Sequence, residues 1–300
     1  FTIATGASSA PEPEGIELPQ PGPAVTQLGD LYALGDHRLL CGDALMPGSH
    51  DRLLAGQRAR AVVTDPPFDR TPNSIGGRGK IKHGAFVQGS GELGKEGFRQ
   101  FCATLFTCLK GCVSLGALLY VYIDSEHMLP MMLGAEDAEL RFLDLLGWDK
   151  GRGGMARFYR RAFEPILFYA FDDEEPVFNV ALGKHGRDRT TLLRFPGATT
   201  RGSSAQKMLH LHPTPKSVEC TIEICLDSSN PGEIILDPFV GSGTIFVAAE
   251  RCRRVAMGMD LSPIYCDVAI RRWEAETGRS AILIATGETF AEVAARRAAE

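Results

Sequence analysis

Ile234-Ile235-Leu236-Asp237-Pro238-Phe239-Val240-Gly241-Ser242-Gly243-Thr244 is where the chain declares its architecture. Three apolar residues read as a strand, and the small-residue turn after them lets a ligand approach the backbone closely. Thr244 to Cys252 then reads as a helix, Val255 to Met259 as a strand and Pro263 to Thr277 as a second helix. Further upstream, Phe98, Phe101, Cys102, Leu105 and Leu109 recur at helical spacing within Phe98 to Cys112, and Ala117 to Ile123 follows as a continuous apolar strand. Ala61-Val62-Val63-Thr64 is a short strand stopped by Pro66 and Pro67. Leu31 to Leu34 and Arg38 to Cys41 read as two short strands about a tight turn at Gly35-Asp36. Strands alternating with helices predict an α/β fold, a largely parallel sheet with helices on both faces.

The 300 residues are 44% hydrophobic and 23% charged, ordinary for a globular chain that builds one large core or two modest ones. No apolar run reaches the roughly 18 to 20 residues that a membrane-spanning helix needs, and the start lacks the basic-then-apolar layout of a secretory signal. A cytoplasmic location, in a bacterial or phage-infected cell, and no membrane partner are the expectations. Residues 1–27 are expected as an extended linker, because Pro11, Pro13, Pro19, Pro21 and Pro23 block both helix and paired strand. A chain opening on Phe1 reads as a piece of a longer product. Residues 28–280 are expected as the main domain and 281–300 as a C-terminal helical tail. The eight cysteines include no C-x-x-C pair, so they read as reduced, mostly buried thiols and not as zinc ligands or a disulfide framework.

The net charge of −5 argues against a surface coated in positive charge, so any nucleic-acid contact must be a local patch. Two stretches offer one. Residues 69–97 are rich in Gly and Lys/Arg with little apolar periodicity, and read as a long mobile loop carrying Lys80 and Lys82. Residues of about 148–205 include Lys150, Arg152, Arg157, Arg160, Arg161, Lys184, Arg187, Arg189, Arg194 and Arg201, interleaved with Phe158, Tyr159 and Phe163. Taken alone, a solvated basic face explains this second stretch equally well.

Asp65-Pro66-Pro67-Phe68 follows an apolar strand, at the carboxyl edge of a parallel sheet where ligands bind. An exocyclic base amine is a poor nucleophile because its lone pair is delocalised into the ring. The Asp65 carboxylate and the Pro66 carbonyl could each accept one N–H, freeing that lone pair to attack a methyl sulfonium. Two prolines stiffen the turn, and Phe68 offers a flat face to an extruded base, worth about 1–3 kcal/mol in comparable aromatic contacts. An Asp-Pro turn that merely closes a strand is the competing explanation.

For the turn at Gly241 to Gly243, dinucleotide binding is the competitor. The third glycine of that fingerprint is missing, since Phe246 stands three residues after Gly243. Asp260 closes the next strand, where a carboxylate can accept both ribose hydroxyls of an adenosine; a role at the start of the helix opening at Pro263 is the alternative. His210 and His212 suggest a metal pair only superficially, as no convincing further ligands lie nearby, and no metal is expected.

Together these motifs resemble the β-class DNA amino-methyltransferases, from about Gly29 to Trp273. The order matches that family: Thr64 to Phe68 first, then the basic stretch as target-recognition region, then His212-Pro213-Thr214-Pro215-Lys216, then Asp237 to Thr244. Leu34 to Asp43, Gly153 to Arg160 and Asp260 to Trp273 further resemble a bacterial and phage subgroup in which a ParB-like module precedes the catalytic domain. The resemblance implies a Rossmann-like methyltransferase fold with a seven-stranded sheet, and S-adenosylmethionine as cofactor with S-adenosylhomocysteine as product. It implies that Asp43 and Ala44 contact the cofactor adenine, Asp260 the ribose, and Thr214, Lys216, Phe239, Gly241, Gly243 and Thr244 the methionine end, with Asp237 a further cofactor-binding residue. Phe68 stands where tyrosine is commonest, which keeps the stacking face and loses a hydroxyl; Val240 and Pro215 are lesser departures.

The function implied is methylation of adenine N6 in duplex DNA by base flipping, with Asp65, Pro66 and Phe68 as catalytic residues. Lys80, Lys82, Arg152, Arg157, Tyr159, Arg160, Arg187 and Arg189 are the expected DNA contacts, and a homodimer is expected by analogy. Cytosine N4 is the nearest alternative, although such enzymes usually carry Ser where Asp65 stands. A catalytically idle DNA-recognition subunit and an RNA methyltransferase are the others.

Overall fold

The computed structural model describes residues 24–69, 91–154, 158–180, 189–197 and 216–299. Its strands are β1 (Leu31–Leu34), β2 (His37–Cys41), β3 (Ala59–Thr64), β4 (Val113–Tyr122), β5 (Arg141–Gly154), β6 (Arg161–Ala170), β7 (Leu192–Arg194), β8 (Ile234–Asp237), β9 (Val255–Asp260) and β10 (Ile282–Leu283). They form one sheet in the order β10-β1-β2-β9-β8-β3-β4-β6-β5-β7. The neighbours from β2 through β9, β8 and β3 to β4 are all parallel. β6 runs antiparallel to both β4 and β5, so it is the one reversed strand within the run from β2 to β5; outside that run β1 is reversed as well, antiparallel to both β2 and β10.

The expected seven strands are therefore the run from β2 to β5, and the ten-stranded count corrects that expectation. Three edge strands make the difference. β1 turns back on β2 and accepts β10, while β7 extends the far edge by pairing with β5.

Helices α1 (Pro47–Leu54), α2 (Gly94–Lys110) and α3 (Met128–Asp137) cover one face, where Leu53, Phe98, Leu105 and Met131 join a buried cluster. Helices α4 (Val218–Ser228), α5 (Thr244–Cys252), α6 (Pro263–Thr277) and α7 (Phe290–Ala299) cover the other, with Ile222, Phe246, Trp273 and Val293 in a second cluster. Burial on both faces explains why β8 is apolar at consecutive positions without alternation.

Helix α2 begins at Gly94, inside the stretch expected as a mobile loop. The Asp69 carboxylate accepts the N–H groups of Gly91 (2.8 Å), Leu93 (3.1 Å) and Gly94 (2.8 Å), so the helix start is held from across the gap in sequence. The rest of that loop, 70–90, and the linker residues 1–23 lie outside the described residues. Residues 281–300, expected as a helical tail, supply β10 and α7, and both pack against the sheet.

The parallel strands place Cys41, Asp260, Asp237, Thr64 and Tyr122 at a common carboxyl edge, with Cys41 opposite Asp260 and Thr64 opposite Val121. From β3 the chain moves to β4 on one side, and from β8 to β9 on the other. The crevice where two connections diverge is the ligand site of an open α/β sheet.

Candidate active site

That crevice is a cavity of about 630 Å³. From β3 come Asp65, Pro66, Pro67 and Phe68, and from the turn after β8 come Phe239, Gly241 and Thr244. Asp260 and Tyr265 line it from the end of β9 and the start of α6, and Glu164 from the amino end of β6. The reversal of β6 is what brings Glu164 here, since a strand antiparallel to β4 starts where β4 ends; the Ile123 N–H donates to the Pro165 carbonyl at 3.1 Å.

Asp65 has two unlike oxygens. Oδ2 lies 2.7 Å from the Lys216 ammonium, and Oδ1 is buried with no hydrogen-bond partner among the described residues. Lys216 also reaches Glu164 Oε1 at 2.6 Å and stands 4.8 Å from the centre of the Tyr122 ring. Lys150 pairs with the other Glu164 oxygen. Burial pushes the Asp65 carboxyl up to about 6 against the opposing charge of Lys216. Burial likewise works against the charge of Glu164, but Lys216 and Lys150 hold it down to about 2.

The cofactor-side carboxylates are fixed by backbone. Asp237 Oδ1 accepts from Thr64 Oγ1 (2.9 Å) and from the Phe239 N–H (3.1 Å), and burial raises its carboxyl to about 7. Asp260 accepts from the Gly241 N–H (3.0 Å) and the Ser262 N–H (2.9 Å), with burial raising it to about 6. Each oxygen of Asp260 takes one such bond and keeps a second lone pair for a ligand hydroxyl. The Phe239 ring leans on Phe101, centroids 6.1 Å apart.

Sequence reasoning placed Asp65, Pro66, Phe68, Lys216, Asp237, Phe239, Gly241, Thr244, Asp260, Tyr159 and Arg160 at a site, and all of them line this one cavity. Gly243 sits behind its wall, against α6. Asp43 and Ala44 are outside the lining: Asp43 Oδ1 accepts from the Leu45 N–H (2.9 Å), and the Ala44 carbonyl is bonded by His50 Nε2 (2.8 Å). Arg189 is paired with Glu223 and Asp227 and is half-buried. Lys80, Lys82, Arg157, Arg187 and Thr214 lie outside the described residues, as do His210, His212 and the side chain of Arg152. Tyr159 of the cavity lining is 82% exposed and in edge contact with Phe158, itself 87% exposed, the ring centroids 4.9 Å apart.

Reading the sequence missed Glu164, Tyr122 and Asp124. Asp124 follows the strand expected over Ala117 to Ile123, so the rule that ligands gather at carboxyl ends could have found it. Nothing local announced Glu164. Among the described residues there is no cluster of three or more His, Cys, Asp or Glu suited to a metal ion, and no helix long and apolar enough to cross a membrane.

The run from β2 to β5, with β6 reversed inside it and a carboxylate-lined crevice at its carboxyl edge, has the Rossmann-like fold of class I methyltransferases. Residues 59–271 match the family model for N6/N4 methyltransferases, described as DNA methylase, and the chain belongs to that family. The Type II methyltransferase M2.DpnII of Streptococcus pneumoniae is 31% identical over 150 residues, 48% of this chain; the match spans only 55% of that protein. The Type II methyltransferase M.HpaI of Haemophilus parainfluenzae is 22% identical over 253 residues, 80% of this chain and 75% of its own length. The solved PvuII DNA methyltransferase, cytosine-N4-specific, shares the fold with a TM-score of 0.62 at 13% identity, covering 90% of this chain and 96% of that one.

Proposed function

We propose that this chain transfers a methyl group from S-adenosylmethionine to N6 of an adenine rotated out of duplex DNA. The observation that carries the reading is Asp65, which lines the same cavity as Asp260 and the Phe239 to Thr244 turn and whose buried Oδ1 has no hydrogen-bond partner among the described residues. An orphaned acceptor costs about 1–3 kcal/mol unless a ligand satisfies it, and an amine N–H does so.

The residues fit the cofactor. Among the lining residues Asp237 and Asp260 offer carboxyl acceptors to a ligand carrying a sulfonium and an ammonium group, and Asp260 has lone pairs to spare for ribose hydroxyls. When bound, S-adenosylmethionine supplies an electrophilic methyl on positively charged sulfur. Asp65 and the Pro66 carbonyl accept the two amine hydrogens and localise the nitrogen lone pair, Phe68 stacks on the extruded base, and Asp65 takes the proton the nitrogen gives up. A carboxyl near pH 6 is ionised at neutral pH yet basic enough to receive that proton.

Tyr159 and Arg160, which line the cavity, are proposed duplex contacts, and Lys80, Lys82, Arg152, Arg157 and Arg187 are proposed as further ones on sequence grounds, with phosphate contacts setting register. Arg189 contributes less, its charge being spent on Glu223 and Asp227. Asp43, Ala44, Thr214 and Gly243 remain proposed cofactor contacts or supports. Cytosine N4 is the second reading, and the fold likeness to a cytosine-N4-specific enzyme favours it; aspartate at position 65 favours adenine.

Incubation with mixed-sequence duplex DNA and methyl-labelled cofactor, followed by mass analysis of the nucleosides, decides between the bases and rejects both if no label appears. Asp65→Ala is expected to lower kcat on the order of a thousandfold while cofactor affinity stays within a few-fold. Loss of both together in a folded variant rejects the catalytic role of Asp65.

A further inference from the structure

The carboxylate proposed above as catalytic is one end of a chain of four charged groups drawn from four places in the sequence. Lys216 stands between Asp65 Oδ2 at 2.7 Å and Glu164 Oε1 at 2.6 Å, and Lys150 closes the far end on the second Glu164 oxygen. Two carboxylates balance two ammonium groups. An ammonium has three N–H bonds to give, and beside a single carboxylate it is free to straddle both oxygens. Here it is divided between two, and Asp65 Oδ1 is left buried with no hydrogen-bond partner among the described residues.

Separate elements fix the two ends of this division. Lys216 adjoins Ser217, the N-cap of α4, whose Oγ accepts from the Cys220 N–H at 3.3 Å. Glu164 belongs to β6, where Trp148 of β5 pairs with it in register.

We propose that Glu164 is a positioning residue for methyl transfer, which draws the Lys216 ammonium to the Oδ2 side of Asp65 and so keeps that cation from occupying Oδ1 when the target amine arrives. This rests on the methyltransferase reading and deepens it, by adding to the motif residues a side chain that acts only through Lys216. Without Glu164, the ammonium is released to occupy both oxygens, and the amine must displace a charge-assisted bond before it can react.

The charged and titratable groups facing Asp65 are Lys216 ahead of α4, Glu164 on β6, Lys150 on β5, Asp237 on β8 and Tyr122 on β4. Removing the negative charge of Glu164 shifts the acidic limb of the rate profile to lower pH, because Lys216 and Lys150 then act on Asp65 alone. Removing Lys216 shifts it to higher pH. A purely structural Glu164 produces neither shift.

The test uses the full chain, duplex DNA of mixed sequence and labelled S-adenosylmethionine, with kcat and KM measured across pH. A carbon-13 NMR titration of labelled aspartate carboxyls runs beside it, Asp65 being assigned by its absence in Asp65→Asn. Glu164→Gln is expected to lower kcat by about tenfold with KM for the cofactor unchanged, to move the Asp65 titration down, and to recover partly in Glu164→Asp. Lys216→Gln is expected to move the titration up. Should Glu164→Gln not fold, the charge-balanced double variant Glu164→Gln with Lys150→Gln carries the same expectation for Lys216. A wild-type kcat in either variant overturns the proposal, and so does a lowered kcat with the Asp65 titration unmoved. If the titrations move as stated but the wild-type chain labels no DNA, the proposed function falls and the division of Lys216 stands.

Discussion

Three aspartates at the carboxyl edge, Asp65, Asp237 and Asp260, are held above the ordinary carboxylate range by burial, at about 6, 7 and 6. Their effect on folding has a definite sign. An unfolded Asp titrates near about 4, so between that pH and about 7 the native state keeps a proton on Asp237 that the unfolded state has released. Stability of the ligand-free protein therefore falls as pH rises through this window. Glu164 works the other way: held at about 2, it contributes stability above its unfolded pKa, lost as pH falls toward 2. Asp237→Asn is expected to melt above wild type at pH 8, with the gap closing toward pH 4, in thermal denaturation without ligand. A pH-independent difference sinks the ionisation account. All three aspartates were legible in sequence because each ends or follows an apolar strand. Glu164 and Lys150 were not, because their role exists only once β5 and β6 fold back toward β3.

At the scale of elements, α5 and α6 were readable to the residue, as Thr244 to Cys252 opens directly after Gly243 and Pro263 to Thr277 runs from a proline to Gly278. β5 and β6 were obscured, because the charged residues of 148–201 drew the reading toward a recognition surface, while the start of β6 is exposed and shows no alternation. Helix α4 was also missed. The packing of α5 on α6 rests on one glycine. Gly243 has φ +76°, and a Cβ there would lie 2.8 Å from the Ala269 Cα, a backbone atom that cannot step aside. Gly243→Ala is expected to cost about 2 to 5 kcal/mol in denaturant unfolding, the left-handed strain adding to the forced parting of two helices. Gly278→Ala is the control: its φ is +69°, but nothing lies within 4 Å of the added methyl, so it bears the strain alone, about 1–2 kcal/mol. Equal losses in the two variants remove interhelix packing as the reason for Gly243.

Over the whole molecule, the site occupies one edge of the sheet, and the two ends of the described chain meet along β1, outside the cavity lining. β10 pairs with β1, Tyr32 opposite Leu283, and Phe290 meets Tyr32 edge-on at 5.9 Å. The Asp267 carboxylate of α6 accepts the N–H groups of Val25 (2.8 Å) and Thr26 (2.9 Å), and Arg297 on α7 reaches Asp30 at 2.5 Å. These contacts cover Tyr32, which is fully buried although it belongs to a strand near the sheet margin. Without β10 and α7, β1 becomes an open edge and an aromatic side chain faces water, the arrangement that invites strand-to-strand association. Leu283, Phe290 and Val293 are almost completely buried, each contributing about 1.5–3 kcal/mol of transfer free energy that ordering the tail partly offsets. A chain ended after Arg279 is expected to melt well below the full chain and to aggregate on heating. Its affinity for S-adenosylmethionine at low temperature should stay within a few-fold, because no residue beyond Tyr265 lines the cavity among those described. Calorimetric titration on both forms at 10 °C separates the two effects, and a truncated chain that is folded by circular dichroism yet binds no cofactor would mean that the far edge shapes the site.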